Sequence, residues 1–363
     1  MESVVIRMPE FFSGKKVLVT GHTGFKGTWL CKILVSYGAI VAGYSLEPPT
    51  FPSLFEICNI KKDIISIIGD IRDIDKLNKV FSDFQPDIVI HLAAQPLVRE
   101  SYNDPRYTYE TNVMGTVNVL DCIRRYFCVK SVLIVTTDKV YQNNEWCWGY
   151  RESDPLDGSD PYSNSKSCSE LVTHSYIKSF FNKRDISVST ARAGNVIGGG
   201  DYAKDRIIPD CVKSAEYGNE IVVRNPFSIR PYQHVLEPLF AYLLIIQKQS
   251  ADPNYSGYYN VGPDDKDCIT TGKLVDLFCE KWEKQSGNPQ HWINQNDGGP
   301  HEANFLKLDC SKIKKSIQWK PRWDIGYAVE KTIEWSLAYQ NGQDVSDLMN
   351  RQIEEYFQTY PTI

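Results

Sequence analysis

The sequence predicts an α/β fold, a doubly wound parallel sheet followed by a smaller mixed α/β domain. Two observations carry that prediction. Strand-like and helix-like segments alternate through residues 1–200, and the strand-like ones are continuous Val/Ile/Leu runs without polar alternation. Runs of that kind are buried on both faces, as in parallel sheets covered by helices.

KVLVT (16–20) opens the sheet and leads into a helix over 28–37. IVAGYSL (40–46) and ISIIGD (65–70) are the next strands, then a helix over 74–84 and the strand DIVIHLAA (87–94). A long helix over 107–127, the strand SVLIVTT (131–137), a helix over 162–181 and ISVSTARAGNV (186–196) complete the alternation. Right-handed crossovers bring the C-terminal ends of such strands to one edge, where ligands bind. Gly21, Ser45, Asp70, Ala93 and Thr137 are expected along it.

After Gly198-Gly199-Gly200 the pieces become shorter: a helix over 207–217, a strand over 221–224, a helix over 236–247, YYNVG (258–262) and a helix over 325–340. The expected division is a dinucleotide-binding domain, 1–195, and a second domain, 196–363, with segments free to cross back to the sheet.

Composition narrows the function. The chain has 363 residues, 42% hydrophobic and 23% charged, with a formal net charge of -5. That is enough for a real core, and it lacks the basic balance of a nucleic-acid binder. No apolar run reaches the roughly 18–20 residues of a membrane span, and MESVVIRMPE has neither the basic start nor the long apolar segment of a signal peptide. No membrane partner and a cytoplasmic location are expected. The ten cysteines form no CxxC pair and the six histidines no HxxxH or HExxH, so reduced thiols and no metal site are expected.

VTGHTGFKGTWL follows the first strand and opens a helix, spacing glycines as Gly21-x-x-Gly24-x-x-Gly27. Such a turn brings a pyrophosphate against main-chain N–H groups at a helix N-terminus, the dinucleotide site of a Rossmann sheet. Gly21, Thr23, Gly24, Phe25, Lys26 and Gly27 are therefore candidate cofactor contacts. A P-loop is the rival, but its Gly-Lys-Thr order is here Lys26-Gly27-Thr28. Ser45, with Glu47 just beyond, stands where a ribose-binding acid is usual, which leaves NAD against NADP open. Asp70 and Ile71 are expected near the adenine, and Leu92, Ala93 and Ala94 beside the cofactor.

The catalytic candidates are Thr137, Asp138 and Lys139 at the end of SVLIVTT, and Tyr162 and Lys166 in PYSNSK (161–166). Four residues apart on a helix, Tyr162 and Lys166 share a face, where an ammonium can stabilise a phenolate. Tyr162 and Lys166 are also expected to touch the cofactor.

These motifs, with GYSLEPPT (43–50), HLAAQPLVR (91–99), TARAGNVIGGGDYAKDRIIPD (190–210), RPYQHVLEPL (230–239) and HEANFLKLD (301–309), span nearly the whole chain. The sequence resembles the CDP-D-glucose 4,6-dehydratases, nucleotide-sugar dehydratases of the extended short-chain dehydrogenase/reductase superfamily. The resemblance implies NAD as cofactor and CDP-glucose as substrate. It implies oxidation at C4, loss of water across C5 and C6, and hydride return to C6, giving a 4-keto-6-deoxy sugar for lipopolysaccharide or other glycans. Thr137, Tyr162 and Lys166 then serve the oxidation. Asp138 would be the acid and Lys139 the base of the elimination, the assignment between them left open. A 4-epimerase needs only the Thr/Tyr/Lys trio; a dehydratase for another nucleotide sugar is the other alternative.

The resemblance also points to Arg230, Arg206 and Asn195 for the diphosphate, with Gln95, Arg99, Arg224, Gln233 and His301 as further substrate contacts. It favours a homodimer built from the helices at 107–127 and 162–181. The loop 142–160, with Trp146, Trp148 and Tyr150, is expected either to cover the site or simply to pack its own aromatics.

Overall fold

The computed structural model describes residues 7–295 and 305–358. Seven parallel strands form the central sheet: β1 (Lys16–Thr20), β2 (Ile40–Ser45), β3 (Ile65–Ile68), β4 (Ile88–His91), β5 (Ser131–Thr137), β6 (Ser187–Ala193) and β7 (Tyr258–Val261). Their order is β7-β6-β5-β4-β1-β2-β3, the doubly wound arrangement expected from the alternation. The order reverses beside β1, so the glycine turn sits at the switch point.

Successive side chains of a strand face opposite layers. Val17 and Val19 enter one core with α1 (Phe25–Ser36) and α5 (Leu236–Ala251), while Leu18 enters another with α2 (Ile74–Phe84) and α3 (Gly115–Arg125). β5 divides likewise, Leu133 and Val135 to the first core, Val132 and Ile134 to the second. Double-sided burial explains why the strands read as unbroken apolar runs. α4 (Pro161–Tyr176) is capped by the Asp160 side chain, which accepts from Ser163 N–H. That cap fixes the entry of the chain just ahead of Tyr162.

Three differences from the expected elements bear on the site. The first helix begins at Phe25 rather than Thr28, directly after the turn, and its N-cap Gly24 has no side chain to satisfy the first N–H groups. The helices at 107–127 and 162–181 each contain a π turn, Glu110–Met114 and Ile177–Phe181. YYNVG belongs to the central sheet: β7 pairs with β6, from Tyr258↔Thr190 to Val261↔Ala193. Its approach along α5, almost wholly buried, cannot be read from local pattern.

The smaller part has its own core, where Leu274, Val275 and Phe278 of α6 (Thr271–Ser286) meet Ala328, Val329 and Ile333 of α7 (Ile325–Gln340). Among the described residues no helix is long and apolar enough to cross a membrane, and no group of His, Cys, Asp and Glu could hold a metal ion. All ten cysteines are free thiols.

Candidate active site

The glycine turn is shaped for close approach. Gly21 has φ +81°, and a Cβ there would lie 2.8 Å from the Ala93 nitrogen; at Gly27 it would lie 2.1 Å from the Gly21 carbonyl oxygen. The turn can therefore press against the β4 end while α1 begins at once behind it. Its uncapped N–H groups suit the phosphates of a dinucleotide. Thr20 Oγ1 accepts from Leu92 and Ala93 N–H, both at 3.2 Å, which fixes the neighbouring strand end. Thr23 bonds Ser45 Oγ at 2.9 Å, so a hydroxyl pair stands at the ribose-side strand end.

Asp70 accepts Arg72 N–H at 2.9 Å and Arg72 Nη2 at 2.7 Å. Burial pushes its carboxyl up, but the Arg72 bonds outweigh this and hold it below the usual range. Asp70 and Arg72 face Glu110 and Met114 across an open cavity at that end, and Ile71 is buried against Gly115.

The catalytic candidates converge at the end of β5. Thr137 Oγ1 donates to Asp138 Oδ1 at 2.9 Å, and Lys139 Nζ donates to the same oxygen at 3.0 Å. Asp138 is fully buried, and its Oδ2 has no hydrogen-bond partner in the protein. Burial pushes the Tyr162 phenol up to about 12 against the opposing pull of the neighbouring Thr137 hydroxyl. Lys166 donates to the Val135 carbonyl at 3.3 Å, and burial pulls its ammonium down to about 8 against the pull of Glu170. Lys26 reaches the same region, pulled down to about 7 by burial and by Arg206 and Lys166.

On the substrate side, Arg206 Nη1 donates to Asp201 Oδ2 at 3.0 Å, and Arg224 Nη1 to Asp205 Oδ1 at 2.6 Å. Arg206 is close enough to Tyr162 for their charges to interact. Arg230 is buried and donates to the Ile229 carbonyl at 3.0 Å. Gln233 donates to the Val261 carbonyl at 3.0 Å, leaving its buried Oε1 unpartnered. Asn195 accepts from Lys139 Nζ at 3.1 Å. Arg99 lies on the short helix Val98–Asn103, which packs against α4. Gln95 is turned inward: its amide bonds Leu97 N–H, the Leu97 carbonyl and Thr108 Oγ1. His301 lies outside the described residues.

The GDP-mannose 4,6 dehydratase family model matches residues 18–332, from β1 through α7. The chain belongs to that family. Among its relatives, the CDP-glucose 4,6-dehydratase of Salmonella typhimurium is 47% identical over 352 residues, 95% of this chain and 97% of the other. A probable dTDP-glucose 4,6-dehydratase of Sinorhizobium fredii is 27% identical, covering 90% of this chain and 93% of its own. The fold is also that of the dTDP-glucose 4,6-dehydratase of Bacillus anthracis in complex with NAD, with TM-score 0.74, 21% identity, and 93% and 100% of the two chains covered. The UDP-glucose 4-epimerase of Thermotoga maritima with UDP-glucose gives TM-score 0.76 at 22% identity, over 90% and 99% of the chains.

In this family member two supporting residues escaped the sequence reading. Asn112, in the first π turn, accepts Gln95 N–H at 2.8 Å and donates to Ser165 Oγ at 2.9 Å, tying the 92–97 loop to the Tyr162 helix. Glu170, one turn beyond Lys166, accepts from Thr136 Oγ1 at 2.5 Å, Thr190 Oγ1 at 2.8 Å and Arg192 Nη2 at 2.9 Å. The Tyr-Lys-Glu spacing on one helix face was the available signal for Glu170. Asn112 left none, because π turns have no sequence mark of comparable strength.

Proposed function

We propose that the chain is a CDP-D-glucose 4,6-dehydratase, a hydro-lyase that uses NAD and yields CDP-4-dehydro-6-deoxy-D-glucose for deoxysugar synthesis, including lipopolysaccharide O-antigen, in the cytoplasm. The Asp138–Lys139 contact at 3.0 Å, one residue beyond Thr137, carries this reading. An alcohol oxidation by the Thr/Tyr/Lys trio has no use for a second acid–base pair, whereas an elimination requires one. The 47% identity to the Salmonella enzyme supports the choice of sugar nucleotide.

The proposed roles are those that the family resemblance implies. Tyr162 accepts the 4-hydroxyl proton, Thr137 holds that hydroxyl, and Lys166 supplies the positive charge beside the phenolate. Held at the Gly21–Gly27 turn and beside Tyr162 and Lys166, NAD would supply the hydride chemistry at C4 and C6. Because the resting phenol is pushed up by burial, its deprotonation depends on positive charge gathered in the site. A ketone at C4 then makes the C5 hydrogen acidic, Lys139 removes it, and Asp138 protonates the departing C6 hydroxyl. Arg206, Arg224 and Arg230 offer charge to the diphosphate, with Arg99 and Gln233 as further substrate contacts. Gln95 supports the loop instead.

The proposal retains the division into a dinucleotide-binding domain, 1–195, and a sugar-nucleotide domain, 196–363, linked across their boundary by β7. It also assembles two copies through the 107–127 and 162–181 helices, where Met114, Leu171 and Phe180 are exposed. Exposed apolar groups on paired helices suit a two-fold contact. The test is mass analysis of the product after incubation with NAD+ and, separately, CDP-, UDP-, dTDP- and GDP-sugars. Loss of one water from CDP-glucose without net NADH is expected. Water loss from a different sugar alone overturns the substrate, and NADH accumulation overturns the elimination. Sedimentation of the same sample checks the dimer, and a monomer removes that part.

A further inference from the structure

The triglycine run Gly198–Gly200, just beyond the short strand Val196–Ile197, lies where three parts of the chain meet. A Cβ on Gly198 would lie 2.9 Å from Val235 Cγ1 and 3.2 Å from Phe25 Cζ, and one on Gly199 would lie 2.0 Å from Trp335 Cγ of α7. One turn along α1 from Phe25, Trp29 Nε1 donates to the Gly199 carbonyl at 3.1 Å. The Trp29 ring meets His234 with centroids 6.1 Å apart, and His234 meets Trp323, just before α7, at 4.8 Å. An imidazole thus joins the helix of the glycine turn to the chain entering α7.

His234 belongs to the short strand Gln233–His234, which pairs with Val196–Ile197. Neighbouring side chains on a strand point to opposite sides, so Gln233, a candidate substrate contact, and His234 face away from one another. His234 is fully buried and offers no surface to a ligand. Its Nδ1 accepts from Leu236 N–H at 3.3 Å, and burial, aided by the Lys331 charge, pulls the imidazole down to about 3. A neutral ring that meets two indoles acts by its shape. Trp323 is fixed in turn by Glu237, whose Oε1 accepts its N–H at 2.7 Å and that of Arg322 at 2.9 Å.

We infer that His234 is a positioning residue: it holds the segment 229–235 at a set distance from the glycine turn, so that a sugar carried by that segment and a dinucleotide carried by the turn meet in one geometry. The inference rests on the reading of Arg230 and Gln233 as substrate contacts. Hydride transfer needs the reacting carbons close and aligned, and a misplacement of about 1 Å can cost about 10²-fold in rate. Each ligand keeps its own contacts when the ring is removed; what changes is their relation. The signature is therefore a loss in kcat without a loss of either affinity.

The test compares His234→Asn and His234→Phe in the full-length enzyme, on CDP-glucose and on CDP-glucose deuterated at C4. Asparagine keeps an acceptor for Leu236 N–H but leaves a gap beside Trp29 and Trp323; phenylalanine keeps a ring and loses the acceptor. For His234→Asn, kcat is expected to fall roughly 10–100-fold with a larger deuterium effect, while KM for CDP-glucose and Kd for NAD+ stay within about threefold. His234→Phe is expected to hold kcat within about threefold while melting at a lower temperature, because a buried N–H loses its acceptor. Trp29→Phe shortens the contact from the other side and removes the Gly199 bond, so it should repeat the loss in kcat even if His234→Asn does not fold. The opposite order, with asparagine near wild type and phenylalanine impaired, makes His234 a helix cap and overturns the proposal. A loss confined to NAD+ affinity or to melting temperature overturns it as well. Arg230→Gln separates the two levels: an unchanged KM for CDP-glucose there removes the substrate reading of the segment, whereas a raised KM beside an unaffected His234→Asn removes only the positioning.

Discussion

The two ends of the site hold their charges differently. At the chemical end, Glu170 and Arg192 are 1% and 3% exposed and meet at 2.9 Å, inside a network that reaches Thr136, Thr190 and Tyr141. At the proposed phosphate end, Arg224 and Asp205 are 29% and 46% exposed, while Arg206, at 35%, pairs with a nearly buried Asp201. Removing one member of a buried pair costs about 3–5 kcal/mol, while an exposed pair is worth about 0–1 kcal/mol. The chemical end is therefore rigid by construction. At the proposed phosphate end, Arg224 can exchange the exposed Asp205 carboxylate for a substrate oxygen at little cost.

Three substitutions test this contrast. The largest effect belongs to Tyr162→Phe, which removes the proton acceptor from an intact frame. A fall in kcat of roughly 10²–10⁴-fold with substrate binding retained is expected, and near-normal turnover would assign the oxidation to another group.

Glu170→Gln comes next. Lys166 is pulled down to about 8, and Glu170 opposes that shift. The ammonium is the useful form, so kcat/KM declines as pH rises through about 8, and loss of the Glu170 charge moves that decline to lower pH. The same variant leaves the buried Arg192 without its carboxylate, so its melting temperature falls. An alkaline limb that stays in place in kcat/KM measurements breaks the link between Glu170 and Lys166.

Asp205→Asn is the mildest. With the Asp205 charge gone, competition for Arg224 weakens, and KM for CDP-glucose should decrease by about two- to threefold at unchanged kcat. A raised KM would show that Asp205 supports the phosphate end instead of competing there.

The rigid end was also the more legible. The glycine turn, the β5 end and the Tyr-Lys pair each combine a local pattern with residue types that serve a single chemistry, so strand order was not needed to find them. The inward turn of Gln95 was not legible, because it depends on Asn112, whose π turn is invisible in the sequence. The Asn195–Lys139 contact was not legible either, because nothing local reveals that β6 ends beside Lys139. β7 was displaced for a related reason: strand neighbours follow from which edge a crossover helix covers, a long-range property.

The late arrival of β7 has a consequence for how the chain is made. Until residues 236–261 have been synthesised, β6 offers an open edge, and the face later covered by α5 is bare. Gln249 on that helix bonds Ser131 Oγ at 2.7 Å and the Val132 carbonyl at 3.0 Å, and Ser189 Oγ donates to its side chain at 2.5 Å. A nascent chain ending near residue 200 thus holds every catalytic side chain on a sheet that is not closed. Stable chemistry must wait for translation of a segment that takes no direct part in it, and an exposed parallel edge in that interval is a natural target for chaperones.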